Sequence, residues 1–288
     1  MKKLIVLITI VLLLYTVPQI QAQLIKIQSE DFEAYDANIQ KVVGTVGDDS
    51  TNWKTAYDNY VVIDYAGIYT YDADISTTID LTDQYHKLTI FTADMEESVS
   101  NGAHATDNIT IGATGTYLVR YDICCEVAAG AKDFAFDVFE IAAAASGTAI
   151  TGITEATPGV VTTSENHGLE DGDKIKITGV VGMVMVNDKL FTVANKTDKT
   201  FELTDDEGID VNTAGVAWSS GGTVHVATQL YITHAHSEAS NQDIARTTAA
   251  GGYVLLTKDN VVEMYVKNIT DATNILIIDG QFRIERKK

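Results

Sequence analysis

From Tyr117 to Val127 every second side chain is apolar, and this run most constrains how the chain can fold. Tyr117, Val119, Tyr121, Ile123, Cys125 and Val127 fall on one side of an extended strand, with Arg120, Asp122, Cys124 and Glu126 on the other. A period of two belongs to a half-buried strand and cannot lay a continuous apolar stripe on a helix. Neighbouring stretches carry the same signature. YVVIDYAGIYTYDADISTTIDL, HKLTIF (His86 to Phe91), NITI (Asn108 to Ile111) and DFAFDVFEIAAA (Asp133 to Ala144) are rich in Val, Ile, Thr and aromatics. QLYITHAH, GGYVLLTKDNVVEMYVKNIT and NILIIDGQFRIERKK follow later. Their links are marked by Gly, Asp and Asn, since the prolines are only Pro18 and Pro158. Many strands with short links predict an all-β sandwich or jelly roll.

With 45% apolar and 21% charged residues, the 288-residue chain has the make-up of a folded protein. Its net charge of −20 repels nucleic acid and anionic lipid, so no nucleic-acid partner is expected. The acidic residues show no calcium-loop spacing and are read as a solvated surface. The two cysteines, Cys124 and Cys125, are adjacent and would point to opposite faces of a strand. Cys125 is therefore expected to be buried and Cys124 to face outward, with no disulfide framework.

The amino terminus joins Lys2 and Lys3 to an apolar run from Leu4 to Tyr15, then Pro18 and a small residue at Ala22. Residues 1–22 read as a secretory signal forming a short hydrophobic helix, with an uncleaved anchor as the alternative. Residues 23–59 read as a polar linker or arm.

The middle of the chain differs from its flanks. Between Ile153 and Val224 lie an HGL turn (His167, Gly168, Leu169), Gly172-Asp173, ITGVVGM (Ile177 to Met183) and an Asn187-Asp188 turn. FTV (Phe191 to Val193), TFEL (Thr200 to Leu203) and a closing SGG (Ser220 to Gly222) complete the series. This stretch resembles the small β-barrel FCCH domain of ubiquitin-activating enzymes, of which similar modules recur in phage virion proteins. The resemblance implies a compact barrel with Phe191, Phe201 and Trp218 in its core. It brings no ubiquitin chemistry, because the stretch has no cysteine and the adenylating and thioester parts are missing.

The flanks, Ile109 to Tyr117, Leu255 to Tyr265 and Ile275 to Ile284, resemble the jelly roll of the tumour-necrosis-factor and complement-head type. The expected organisation is a jelly-roll first part over residues 60–149, an inserted FCCH-like barrel over 150–226 and a jelly-roll second part over 227–288. Loop closure costs little extra as length grows, so an insertion there is tolerated and would be displayed outward. The fold class is thus all-β: a jelly-roll β-sandwich with an inserted small β-barrel. Tyr117, Tyr121, Phe134, Phe136, Phe139, Tyr253, Tyr265 and Phe282 are expected to pack the sandwich or, in part, to line a threefold axis.

No G-x-S-x-G elbow, H-E-x-x-H helix, P-loop or C-x-x-C pair occurs. Asp94, Glu96 and Glu97 have no acid/base spacing that singles them out. His234 and His236, two apart, would share a strand face, and with His225 they are the candidates for a metal site. The favoured reading is that these histidines are exposed and bind nothing, so no metal, cofactor or catalytic residue is assigned. Asn108, Asn195 and Asn268 open N-x-T sequons. The expected function is a non-enzymatic virion surface protein, a trimeric fibre, spike or decoration of a bacterial virus. Its partners would be copies of itself, other virion proteins and a host surface glycan or protein. The alternative is a secreted or cell-surface bacterial adhesin or ligand-binding protein.

Overall fold

A computed structural model describes residues 65–71, 75–91, 104–105, 107–127, 130–239 and 245–287. The hydrophobic helix expected at residues 1–22, the arm at 23–59 and Asp94, Glu96 and Glu97 lie outside the described residues. The strands before the central cassette are Tyr65–Thr70 (β1), Ile75–Thr77 (β2), His86–Lys87 (β3), His104–Ala105 (β4), Asn108–Thr110 (β5), Gly115–Val127 (β6) and Lys132–Ile141 (β7). Within it run Thr148–Ile153 (β8), Val160–Thr163 (β9), Lys174–Val181 (β10), Leu190–Ala194 (β11) and Thr200–Thr204 (β12). Ser220–Gln229 (β13) leads out, followed by Ala235–Ala239 (β14), Arg246–Leu256 (β15), Val261–Asn268 (β16) and Ile275–Arg286 (β17).

One sheet has the order β1-β17-β6-β15, with β2 also on β17. The other places β7 between β16 and β14, with β5 and β3 on β16. Taking β1, β5, β6, β7, β14, β15, β16 and β17 as first to eighth, the sheets read first-eighth-third-sixth and second-seventh-fourth-fifth. All these pairs are antiparallel, and this is the strand order of a jelly roll. The fold is all-β, as the alternation predicts.

The pleat of β6 follows its sequence: all six apolar positions from Tyr117 to Val127 are buried, and Arg120 is exposed. They meet Phe134, Phe136, Val262, Phe282 and Ile284 in the sandwich core. Both cysteines are free, Cys125 buried and Cys124 half-buried. Burial pushes the Cys125 thiol up to about 12, so it stays protonated and unreactive at neutral pH.

Three local expectations change. QLYITHAH is broken by a 3-10 turn at Tyr231–Thr233, pinned where the Thr233 hydroxyl donates to the Leu230 carbonyl at 2.7 Å. HKLTIF is a strand only at His86–Lys87. Tyr253 does not pack the core: it points outward from β15, 58% exposed, with the Lys287 ammonium 5.0 Å from its ring centre.

The cassette closes on itself. Its strands run β10-β11-β12-β9-β8-β13, and β13 pairs back onto β10, making a six-stranded barrel. Its core of Val161, Ile175, Ile177, Phe191, Val193, Phe201 and Leu203 is separate from that of the sandwich. Trp218 packs against this core only in part and donates its Nε1 proton to the Gly221 carbonyl at 3.1 Å. At the HGL turn Gly168 takes φ +64, which side chains with a Cβ adopt at a cost.

The barrel is not simply carried outward on its two connections. Strand β13 belongs to both bodies: its first part pairs β10, and Ala227–Gln229 pair Phe139–Ile141 of β7. Tyr85, Phe139, Ile141, Leu190, Ala227 and Tyr265 form a third apolar cluster at this seam. Around it lie opposite charges in pairs, several of them buried. Glu263 of the sandwich accepts from Lys176 of the barrel at 2.7 and 2.9 Å, from Lys87 at 2.7 Å and from the Tyr265 hydroxyl at 2.6 Å. Asp206 of the barrel accepts from Lys267 of the sandwich and Lys174. Asp80 binds both Lys189 of the barrel and His86.

Burial opposes ionisation of Glu263, but the charges of Lys176 and Lys87 outweigh it and hold its pKa below the usual value. Asp206 is likewise lowered, by Lys174 and Lys267 against burial. His86 is lowered from 6.5 to about 4 by burial and by Lys189, against the pull of Asp80. For each of these groups the unfolded chain takes up its proton at a higher pH than the folded one. The stability they confer is complete above the unfolded pKa and is lost as pH falls through the folded one.

Three outcomes are expected. Phe191→Ala should destabilise the barrel by about 3–5 kcal/mol, the cost of truncating a buried aromatic, read by urea denaturation. Thermal melts should weaken in two stages on acidification, the first between pH 6.5 and about 4 from His86 and the second below the ordinary carboxylate range from Glu263 and Asp206. Lys176→Met should cost about 3 kcal/mol at pH 7 by urea denaturation, because the buried carboxylate then keeps Lys87 and the Tyr265 hydroxyl but loses the lysine that bonds both its oxygens. A pH-independent melting temperature from 7 to 4 would show that His86 is not held neutral at the seam, and one that also stays flat below the ordinary carboxylate range would show that Glu263 and Asp206 are not held by their lysines.

Candidate functional site

The outward face of the first sheet carries a groove beside the end of β1. In that strand Ala66, Ile68 and Thr70 are buried, so Tyr69 and the following Tyr71 point away from the core. Register sets Tyr69 opposite Gln281 of β17, and Gln281 opposite Asp122 of β6. One step on, β17 shifts register between Ile277 and Asp279, a bulge that sets Asp279 opposite Cys124. Gly280 follows, where a Cβ would lie 2.6 Å from Ile123 Cδ1. The result is an open cavity of about 360 Å³ lined by Tyr69, Thr70, Tyr71, Asp122, Asp279, Gly280 and Gln281.

Tyr71 is 78% exposed. An exposed ring face, two carboxylates and an amide are groups that bind sugars: the ring covers apolar C–H faces, and the carboxylates and amide accept from or donate to hydroxyls. In the next row Arg283 and Arg120 stand opposite each other, flanked by Gly67 and Gly251. Neither arginine forms an ion pair with another described residue. None of these residues was singled out in the sequence except as part of an alternating strand. The outward tyrosines of IYTY were the one available signal.

The three histidine candidates do not assemble. His225 is buried in the barrel, opposite Lys176 of β10, with its Nε2 3.3 Å from the Thr178 hydroxyl. Burial and the Lys176 charge push its pKa down, which keeps it neutral. His234 and His236 do come together. One ends the Tyr231–Thr233 turn and the other lies in β14, and their rings stand 4.8 Å apart at 80°. Asp137, fully buried on β7, accepts from Tyr85, from Gln229 at 2.9 Å and from His234 Nδ1 at 2.8 Å. The sequence does not reveal Asp137, since an aspartate within DFAFDVFEI reads as a solvent-facing position. Among the described residues no group of three or more His, Cys, Asp or Glu side chains is placed to hold a metal ion. Of the sequons, Asn268 is buried and donates to the Thr273 carbonyl at 2.9 Å, so the folded chain cannot present it for glycosylation.

Residues 156–225 match the ubiquitin-activating enzyme E1 FCCH domain, a stretch that lies within the closed barrel. No curated protein matches the chain. Among solved structures, that of Eiger TNF from S. frugiperda is 8% identical over 78% of this chain and 93% of its own, with a TM-score of 0.33. The structure of infectious bursal disease virus, Gx strain, is 9% identical over 78% and 81%, with a TM-score of 0.15. Likenesses this distant carry no argument, and the jelly roll rests on the strand order of this chain itself.

Proposed function

We propose that the chain is a non-enzymatic surface attachment protein that binds glycans through the groove of Tyr69, Tyr71, Asp122, Asp279 and Gln281. The groove carries the reading: it is open, aromatic on one side, and equipped with hydroxyl-binding groups on a rigid sheet. Placement on the surface of a bacterial virus, as fibre, spike or decoration, is supported by the combination of a jelly roll with an FCCH-like barrel. A secreted or cell-surface bacterial adhesin is the second reading, favoured by the signal-like residues 1–22. The net charge of −20 supports a partner other than nucleic acid.

Self-association into trimers belongs to the same proposal. Tyr253 and Leu255 project from β15, which ends the strand order of its sheet, and Tyr231 and Ile232 are exposed nearby. Ile232 lies against Gly252 of that strand. Exposed apolar side chains on both sides of an edge strand favour burial against another copy.

Labelled full chain should coat cells of a susceptible host and block infection or adhesion competitively. Tyr71→Ala and Asp122→Asn should each weaken that binding about tenfold, the loss of one good contact, without shifting the melting temperature. Release of sugar fragments from the coated cells would sink the non-enzymatic reading, and binding unchanged in both variants would sink the groove. Light scattering of the full chain should give the mass of three copies, and a monodisperse monomer at micromolar concentration would remove the trimer.

A further inference from the structure

His234 and His236 pose a proton-counting problem. His234 Nδ1 lies 2.8 Å from Asp137 Oδ2, and His236 Nδ1 lies 3.4 Å from Asp133 Oδ1. The two Nε2 atoms face each other at 3.0 Å. A carboxylate only accepts, so each Nδ1 contact needs a ring proton, and the contact between the Nε2 atoms needs a third. Two neutral imidazoles carry two protons between them. With both Nδ1 atoms donating, two Nε2 lone pairs are left within van der Waals contact and repel. A positive species between the Nε2 atoms resolves this.

We propose that the pair is a binding site for a divalent transition-metal ion, with His234 Nε2 and His236 Nε2 as its two protein ligands. Two observations fit a metal there. Two metal–nitrogen bonds of roughly 2.0–2.1 Å whose nitrogens are 3.0 Å apart enclose close to a right angle. That angle suits the tetragonal sites of Cu²⁺ and Ni²⁺ better than tetrahedral Zn²⁺. Each ring also hands its remaining N–H to a carboxylate, the arrangement that fixes the tautomer and orientation of metal-bound histidines and raises their basicity.

The site is built rather than accidental at His234. Its carboxylate, Asp137, is fully buried and held from two other sides by Tyr85 and Gln229. The backbone leading to His234 is fixed in turn. Thr233 accepts from the Val138 amide at 3.0 Å through its hydroxyl and from the Tyr121 hydroxyl at 2.9 Å through its carbonyl. His236 and Asp133 are both half-exposed, which leaves the metal's other positions open to water or to a donor from another molecule. Among the described residues no third side chain joins them, so two nitrogens are the protein ligands that these residues supply.

The test is a titration of the full, untagged chain, stripped with chelator, with Cu²⁺ and Ni²⁺ by calorimetry, and the electron paramagnetic resonance spectrum of the copper form. One equivalent per chain is expected, with coupling to two nitrogens in the copper spectrum. His236→Gln should weaken binding at least about tenfold and reduce the coupling to one nitrogen, while Asp133→Asn, which keeps both ligands, should weaken it by about tenfold. His236 and Asp133 are the positions to vary, because removing His234 would strip a partner from buried Asp137. His225→Gln should leave the titration unchanged. Equal titrations of wild type and His236→Gln overturn the proposal wherever the metal then sits. So does a copper spectrum without two-nitrogen coupling, or an imidazole proton shared between the rings that saturating Cu²⁺ does not displace.

Discussion

Glu263 is the residue on which the arrangement of the two β bodies depends. A carboxylate with its side chain 5% exposed would be untenable alone, since transferring an unpaired charge out of water costs several kcal/mol. It is held ionised by a lysine from each body and by a tyrosine hydroxyl from its own strand. Lys176 reaches it only if the barrel is seated on β7 and β16, so the charge balance of the sandwich is completed by the inserted module. Asp206 repeats the device in the opposite sense, with a barrel carboxylate neutralised by a sandwich lysine. Between these pairs the edge-on contacts of Phe139 with Tyr85 and Tyr265, at 5.1 and 5.4 Å, exclude water from the seam.

That seam gives the insertion a different physical character from a domain on a loose tether. Strand β13 crosses from barrel to sandwich without a break, and a backbone amide of the barrel, that of Leu190, donates to the Tyr85 carbonyl at 3.2 Å. Orientation is therefore specified by directional bonds and charges, while the apolar cluster supplies area. Ion pairs of this kind set geometry more than they add stability, since an apolar replacement of equal volume can do as well energetically. Their acid sensitivity is a consequence of the same choice.

Of the two candidate binding surfaces, the groove lies on the sheet away from the seam. The groove uses the outward pleat of β1, β6 and β17, and a bulge in β17 turns Asp279 toward it. The histidine pair lies on β14 and the turn before it, against Asp133 and Asp137 of β7. Both rely on a sheet whose opposite face is locked into the core, so side chains at these positions keep their spacing without help from a ligand.

Much of the fold was legible in the residues. The alternation of Tyr117 to Val127 fixed which side of β6 faces the core and which cysteine is buried, because the pleat leaves no other choice. The HGL, Asn187-Asp188 and SGG turns within residues 153–224 carried the resemblance that implied a compact barrel, since local turn chemistry is written in adjacent residues. What could not be read was anything that depends on which strands become neighbours. Asp137 and Glu263 sit in strands that look half-polar, and only pairing shows that their partners come from Tyr85, His234, Lys87 and Lys176. Tyr253 obeys the β period yet faces solvent, because its strand places Val254 and Leu256 inward. His225, His234 and His236 are close in sequence, but a turn at Tyr231–Thr233 and the passage of β13 from barrel to sandwich separate the first from the other two. Period, turns and charge are local and follow from neighbouring residues. Tertiary structure alone decided the groove, the seam and the facing imidazoles, because each is made by residues that only long-range strand pairing brings together.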